Sequence, residues 1–378
     1  MQPSQALDLS GERFVVVYHL TGDAAEADAK ARDICLEQTV EFPDELVPDG
    51  DIRAHILGRI ESLVPLTGAR FAARISYAIE TAGFELPQLL NLVFGNISLK
   101  PGIRLERLEL SPRLLQSFSG PRFGRAGLRE RLGVPQRPLL CTALKPMGLS
   151  PIALAELAYQ FALGGIDIVK DDHGLADQPF APYRERVQRC ADAVARANQQ
   201  TGRACIYMPN VSAPADALFE HARFAKAAGS GGLLIAPGLV GLDTMRRLAD
   251  DEQIALPLMA HPAFQGSFVA SADSGISHYA LFGQIARLAG ADASIYPNYG
   301  GRFSFSHAEC NSIVEGTATP MAQIKPIFPT PGGGMSLERV VEMRAGYGDD
   351  VIFLIGGGLH KHGPDLVENC RHFLSLVE

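Results

Sequence analysis

The segment GGIDIVKDDHGLADQPF, Gly164 to Phe180, sets Lys170, Asp171, Asp172 and His173 in a row behind a short apolar stretch. Gly-Ile-Asp-Ile-Val is apolar and β-branched, the pattern of a buried parallel strand, so the charges begin where the strand leaves the sheet. The carboxyl ends of such strands are where α/β enzymes keep their chemistry; the plainer alternative is an acidic loop. Two glycine triplets offer a second kind of chemistry: Gly332-Gly333-Gly334 and Gly356-Gly357-Gly358 each follow a strand-like run. Backbone amides uncovered by side chains can wrap a phosphate, whereas a lone triplet would mark little more than a tight turn.

The elements that must position these residues recur from Leu139 onward. Apolar runs at Leu139–Leu144, Ile166–Lys170, Cys205–Met208, Leu233–Ala236, Leu256–Ala260, Ala293–Tyr296, Pro326–Thr330 and Val351–Ile355 alternate with helix-like stretches such as Ala153–Leu163, Tyr183–Gln199 and Ala215–Ala228. Eight strand-then-helix units fit a (β/α)8 TIM barrel, which takes about 250 residues, with a doubly wound open sheet as the alternative. In a barrel, the residues just after each strand share one pocket: Lys145, Lys170 to His173, Asn210, His261 and the two triplets. The triplets then follow strands seven and eight, the usual phosphate position of this fold. The first 120 residues differ. Arg13–Leu20 alternates like a strand, Ala24–Cys35 is an amphipathic helix, Ala69–Ile79 is β-rich, Leu86–Gly95 is helical and Ile103–Leu110 is a last strand. This order predicts a small α+β, ferredoxin-like domain over 1–120 ahead of a barrel over 121–378, with Ser119-Gly120-Pro121 as the boundary.

Composition narrows the class. At 378 residues, 47% hydrophobic and 20% charged, the chain can bury two cores. A net charge of −8 without a Lys/Arg block argues against nucleic acid or an anionic membrane as partner, and leaves anionic small molecules open. No apolar run approaches a membrane span and MQPSQALDLSGER lacks a signal design, so a cytoplasmic protein is expected. The six cysteines are scattered without CxxC spacing, which points to buried reduced thiols.

Taken together, these segments resemble the ribulose-bisphosphate carboxylase (RuBisCO) large-subunit family, and more closely its RuBisCO-like proteins, which do not fix CO2. GGIDIVKDDHGLADQPF is similar to the family's GGxDxxKDDE segment followed by Gln-Pro-Phe. The resemblance implies that Lys170 takes up CO2 as a carbamate, that Asp172 is a carboxylate ligand to a divalent metal, Mg2+ in the family, and that His173 stands where the family has glutamate. RPLLCTALKPMGLS makes Lys145 the lysine that acts on the substrate's acidic C–H. PLMAHPAF brings His261 as an active-site histidine, and YMPNVSAP matches the strand-three segment. FPTPGGG and FLIGGG match the phosphate segments, giving Gly332, Gly333, Gly334, Gly356, Gly357 and Gly358. Glu37 in CLEQTVEFP and Asn96 in LVFGNIS match residues that complete a neighbouring subunit's site, which implies a homodimer or an assembly of dimers.

The departures from that pattern bear on function. RuBisCO needs a lysine on a mobile loop after strand six, yet YPNYGGRFSFSHAEC, Tyr296 to Cys310, has none and offers Arg302. The second lysine of the KPK segment is missing, since Lys145-Pro146 runs into Met147, and Pro262 replaces an arginine of the second phosphate site. One phosphate, not two, is the expectation. His173 could ligate a metal such as Mn2+, act as an acid or base, or be structural. A lysine carbamate needs a neutral amine, which Asp171 and Asp172 oppose by raising the lysine's pKa. The resemblance implies enolate chemistry stabilised by a divalent cation on a phosphorylated keto-sugar or keto-sugar acid: isomerisation or tautomerisation, or decarboxylation and C–C cleavage of the 3-oxo-isoapionate 4-phosphate type. Histidine in place of glutamate tilts toward the latter. The competing class is a non-catalytic regulatory or scaffold descendant that has lost its metal.

Overall fold

The computed structural model describes residues 7–303 and 305–378; the first six residues of the N-terminal reading and Ser304 of the Tyr296–Cys310 loop lie outside them. Contacts divide the chain between Ser119 and Gly120, and Gln265–Gln284 and Pro320–Ile324 group with the first unit, two excursions that local patterning does not show.

The first unit is built on β1 (Arg13–Thr21), α1 (Ala24–Glu37), β2 (Arg59–Pro65), β3 (Arg70–Ala78), α2 (Leu86–Phe94) and β4 (Ile103–Glu109). Its antiparallel strands run β4-β1-β3-β2, the ferredoxin-like order, and the two-residue β10 (Gly275–Ile276) adds a parallel edge beside β4. β1 buries Phe14, Val16, Tyr18 and Leu20 and leaves the alternate residues half-exposed, the period of a strand with one face on a core. Against that core α1 sets Ala27, Ala31, Ile34 and Cys35, a single helical stripe, behind a capping box between Asp23 and Glu26. β2, with its exposed, charged residues, has no apolar signature and is found by pairing with β3.

The second unit is the barrel. Its strands are β5 (Leu139–Leu144), β6 (Ile168–Asp171), β7 (Ile206–Met208), β8 (Leu233–Ile235), β9 (Leu258–Ala260), β11 (Ala293–Pro297), β12 (Phe328–Gly332) and β13 (Ile352–Leu354). All pair in parallel, in two arcs, β13-β5-β6-β7 and β8-β9-β11-β12. A bridge between Asn210 and Leu234 joins the arcs on one side, and β12 lies beside β13 on the other. One cluster fills the lumen: Leu139, Cys141, Ile168, Met208, Leu234, Met259, Ile295, Phe328 and Ile352, floored by Leu128 and Leu132. Strand seven runs two residues later than its apolar run suggests, so Gly332 ends β12. Asp292 stitches the floor: its carboxylate accepts from the N–H groups of Phe123 (2.8 Å), Gly124 (2.6 Å) and Leu258 (2.9 Å).

All six cysteines are buried and free, and no helix among the described residues is long and apolar enough to cross a membrane.

Candidate active site

Alternation along the strands decides which side chains meet. Ile168 belongs to the lumen cluster, so Lys170 and Asp172 share its face while Asp171 points the other way. Cys141 puts Lys145 on the lumen side of β5, and Met259 does the same for His261 after β9. The side-chain contacts agree. The Lys145 ammonium pairs with Asp172 Oδ2, and His173 Nδ1 lies 3.3 Å from Asp172 Oδ1. The His173 and His261 rings stack, 4.2 Å between centroids and 11° apart. Residues from strands one, two and five thus form one cluster.

Asp171 does something else. It accepts from Tyr207 Oη at 2.7 Å, from the Asn210 N–H at 3.1 Å and from Arg186 Nε at 3.2 Å, and its side chain and that of Arg186 are both fully buried. Arg186 comes from the Tyr183–Thr201 helix and also donates to the Ala181 carbonyl. Asn210, expected only as a strand-three end residue, donates from its side chain to the carbonyls of His173 and Leu175. These groups brace the end of β6 and the loop after it. The signal for them was present: in IDIVKDDH, period two puts Asp171 on the helix side.

Electrostatics follow burial. Lys170 is 3% exposed and donates to its neighbour's carbonyl, Asp171 O, at 3.0 Å. Burial lowers its pKa, outweighing Cys141, Asp172 and Asp171, which raise it. The two aspartates do raise it, as their place in the sequence implies, but burial is the larger effect and favours the neutral amine. Burial alone would raise the Asp172 carboxyl, but hydrogen bonds from Lys145 and the Gly174 N–H, with the lysines' charge, hold it below its usual range. Burial pushes the His261 imidazole down to about 2, aided by Lys170, so it is neutral. His173 is lowered too, by desolvation first and then by the cations Lys170, Lys145 and Arg302, against the pull of Asp172.

The glycines are not equivalent. Gly333 and Gly334 adopt left-handed backbone at φ 77° and 99°, whereas Gly332 is buried in β12, where an added Cβ would meet Leu354 at 2.9 Å. A Cβ on Gly356 would come within 3.8 Å of the Lys145 stem, on Gly357 it would meet nothing within 4 Å, and on Gly358 it would meet the Met335 carbonyl at 2.9 Å. Gly356 and Gly357 face open space, Gly333 and Gly334 lie close against the Gly301–Phe303 segment, and Gly332 and Gly358 are enclosed by packing. In the first unit, the sequence motifs around Glu37 and Asn96 converge: Asn96 Nδ2 donates to Glu37 Oε1 at 2.9 Å, and the Lys100 ammonium lies 3.7 Å from the same carboxylate. The side chain of Gln38 pins this corner by accepting from the Ile97 N–H and donating to the α2 carbonyls of Asn91 and Leu92.

No three His, Cys, Asp or Glu side chains among the described residues form a metal-binding group. The donor set fits a divalent cation only with Lys170 counted: a buried amine held toward neutrality, the ionised Asp172 and the adjoining His173 imidazole.

Residues 124–301 match the family model of the ribulose bisphosphate carboxylase large chain, catalytic domain. The 5-methylthioribulose-1-phosphate isomerase of Rhodospirillum rubrum is 40% identical over 97% of this chain and 96% of its own. A 2,3-diketo-5-methylthiopentyl-1-phosphate enolase of Geobacillus kaustophilus is 32% identical over 96% and 92%. The crystal structure of a RuBisCO-like protein from Rhodopseudomonas palustris superposes with a TM-score of 0.87 at 40% identity, covering 97% of both chains. With its barrel, its N-terminal domain and its lysine-aspartate cluster, the chain belongs to the RuBisCO large-chain family as a RuBisCO-like protein.

Proposed function

We propose that this protein is an enolising enzyme, not a carboxylase, that moves a proton next to a carbonyl on a singly phosphorylated keto-sugar or keto-sugar acid. The observation that carries this reading is the Lys145–Asp172 pair at the mouth of the barrel, beside the buried amine of Lys170 and the stacked His173 and His261. Lys145 is a flexible proton carrier in that cluster, and its contact with Asp172 positions its amine beside Lys170 and the two histidines. His261, kept neutral by burial, can accept a hydrogen bond or proton without adding charge. His173 shares the Asp172 carboxylate and is the second candidate acid or base. Lys170 as a carbamate, Asp172 and His173 would hold a divalent cation, Mg2+ or Mn2+. When bound, such a cation stabilises negative charge developing on the substrate's oxygens. The amides at Gly333, Gly334, Gly356 and Gly357 bind the single phosphate. The lysine-free Tyr296–Cys310 segment supports the exclusion of carboxylation.

Between the two arms of enolate chemistry, the named isomerase and enolase relatives favour proton transfer over the C–C cleavage that His173 suggested from sequence. Glu37 and Asn96, already joined by a hydrogen bond, complete the site of a second copy in a homodimer. Incubation with 13C-labelled CO2 and Mg2+ or Mn2+, read by 13C NMR, should give a carbamate signal lost in Lys170→Ala. Screening phosphorylated keto-sugars and keto-acids by mass spectrometry should then find an isomerised product. A protein that takes up neither metal nor CO2 and turns over none of these is the non-catalytic descendant.

A further inference from the structure

We propose that Arg302 is the side-chain cation of the phosphate pocket and sets the preference for a phosphorylated over a neutral substrate. This deepens, and rests on, the phosphate reading of the glycine segments. Glycine amides supply hydrogen bonds but no net charge, so a phosphate dianion held by them alone lacks compensation. The nearby cations are otherwise engaged: Lys145 is paired with Asp172, and Arg339 donates to the Tyr299 carbonyl and reaches Glu342. Arg302 is exposed and has no carboxylate within ion-pair distance among the described residues.

Its backbone is fixed at the glycines. A Cβ on Gly334 would sit 3.0 Å from the Arg302 nitrogen and 2.9 Å from the Gly301 Cα, and a Cβ on Gly301 would strike the Gly333 carbonyl at 2.3 Å. Only glycine on both segments lets them lie this close. Phe303 packs against Gly333, where a Cβ would meet its ring at 3.1 Å, yet it stays 48% exposed. The Arg302 guanidinium lies over that ring, 5.1 Å from the centroid. A guanidinium packed over a ring face keeps its N–H edge available for two parallel hydrogen bonds to one phosphate, a geometry lysine does not provide.

The test titrates full-length protein with inorganic phosphate at ionic strength held constant with chloride, reading the thermal midpoint. Wild type should show saturable stabilisation, Arg302→Gln should weaken the apparent Kd about 10- to 100-fold, and Arg302→Lys should fall between. Phe303→Ala should weaken it several-fold by releasing the guanidinium. Gly357→Val is the control for the pocket, since a Cβ there meets nothing within 4 Å and the added side chain fills the space open to a phosphate. Loss of binding in Gly357→Val with wild-type affinity in Arg302→Gln would overturn the role of Arg302 and keep the pocket. No phosphate response in wild type would overturn both.

Discussion

On the helix side of β6, Asp171 meets a fixed cation, a tyrosine hydroxyl and a backbone amide, all buried. On the lumen side, Asp172 meets a flexible lysine, an imidazole and the Gly174 N–H, and stays partly open. The two residues are identical and adjacent; the period of the strand separates them into a buried brace and a lumen-facing group. The helix-side network is satisfied at the carboxylate but leaves one Arg186 guanidinium nitrogen without a hydrogen-bond partner, so it holds geometry at a cost in solvation. The lumen side holds its charges in contacts that a substrate or metal can replace. A site of this kind needs both: groups free to exchange partners, and neighbours that prevent the strand end from moving when they do.

That contrast can be broken most severely on the lumen side. Lys170→Ala should lower turnover by about 1,000-fold or more while circular dichroism stays native, because the lost side chain sits at a strand end outside the hydrophobic cluster that fills the barrel. Full activity in that variant would remove the carbamate from the reading. Mixing Lys170→Ala with Glu37→Ala under subunit exchange should restore about a quarter of wild-type activity, since each mixed dimer has one site with both lesions and one with neither. Heterodimers detected by native mass spectrometry without any activity would mean the sites are not shared. On the helix side the loss should appear in stability first: Arg186→Met strands the Asp171 carboxylate in the core and should cost about 3–5 kcal/mol in urea unfolding. An unchanged unfolding midpoint would show that Asp171 is not braced by this pair.

The same contrast explains what could be read in the sequence. Strand ends are legible because period two converts IDIVKDDH directly into faces, and the lumen group of Lys145, Lys170, Asp172 and His261 follows from it. The family resemblance then supplied the roles. Hidden instead were features that depend on partners distant in the chain. Arg186 reads as one more charge on an amphipathic helix until Asp171 is seen beneath it. β2 carries no apolar alternation because its partner β3 defines it, and the excursions Gln265–Gln284 and Pro320–Ile324 leave the barrel's repeat without any composition change. At Lys170 the sequence shows the neighbouring acids that raise its pKa but not the burial that outweighs them.

The smallest effect concerns acid stability of the metal-free protein and sets two buried groups against each other. Burial lowers the His261 imidazole from 6.5 to about 2, so the folded state binds this proton less well than the unfolded chain. Its contribution to stability is complete above about pH 6.5 and is lost as pH falls toward 2. Asp292 has the opposite sign: burial raises its carboxyl from 3.8 to about 6 against its three backbone N–H donors. Its contribution is complete below about pH 3.8 and is lost as pH rises through 6. Between about pH 6 and 4 the two slopes oppose, each near 1.4 kcal/mol per pH unit at most, so these two groups partly offset each other there. His261→Gln removes one slope, so the variant should gain on the order of 1–2 kcal/mol relative to wild type on going from pH 6.5 to 5 in urea unfolding. A variant whose stability tracks wild type across that interval would show that the imidazole is protonated in the folded barrel, and with it that His261 is not the neutral acceptor of the site.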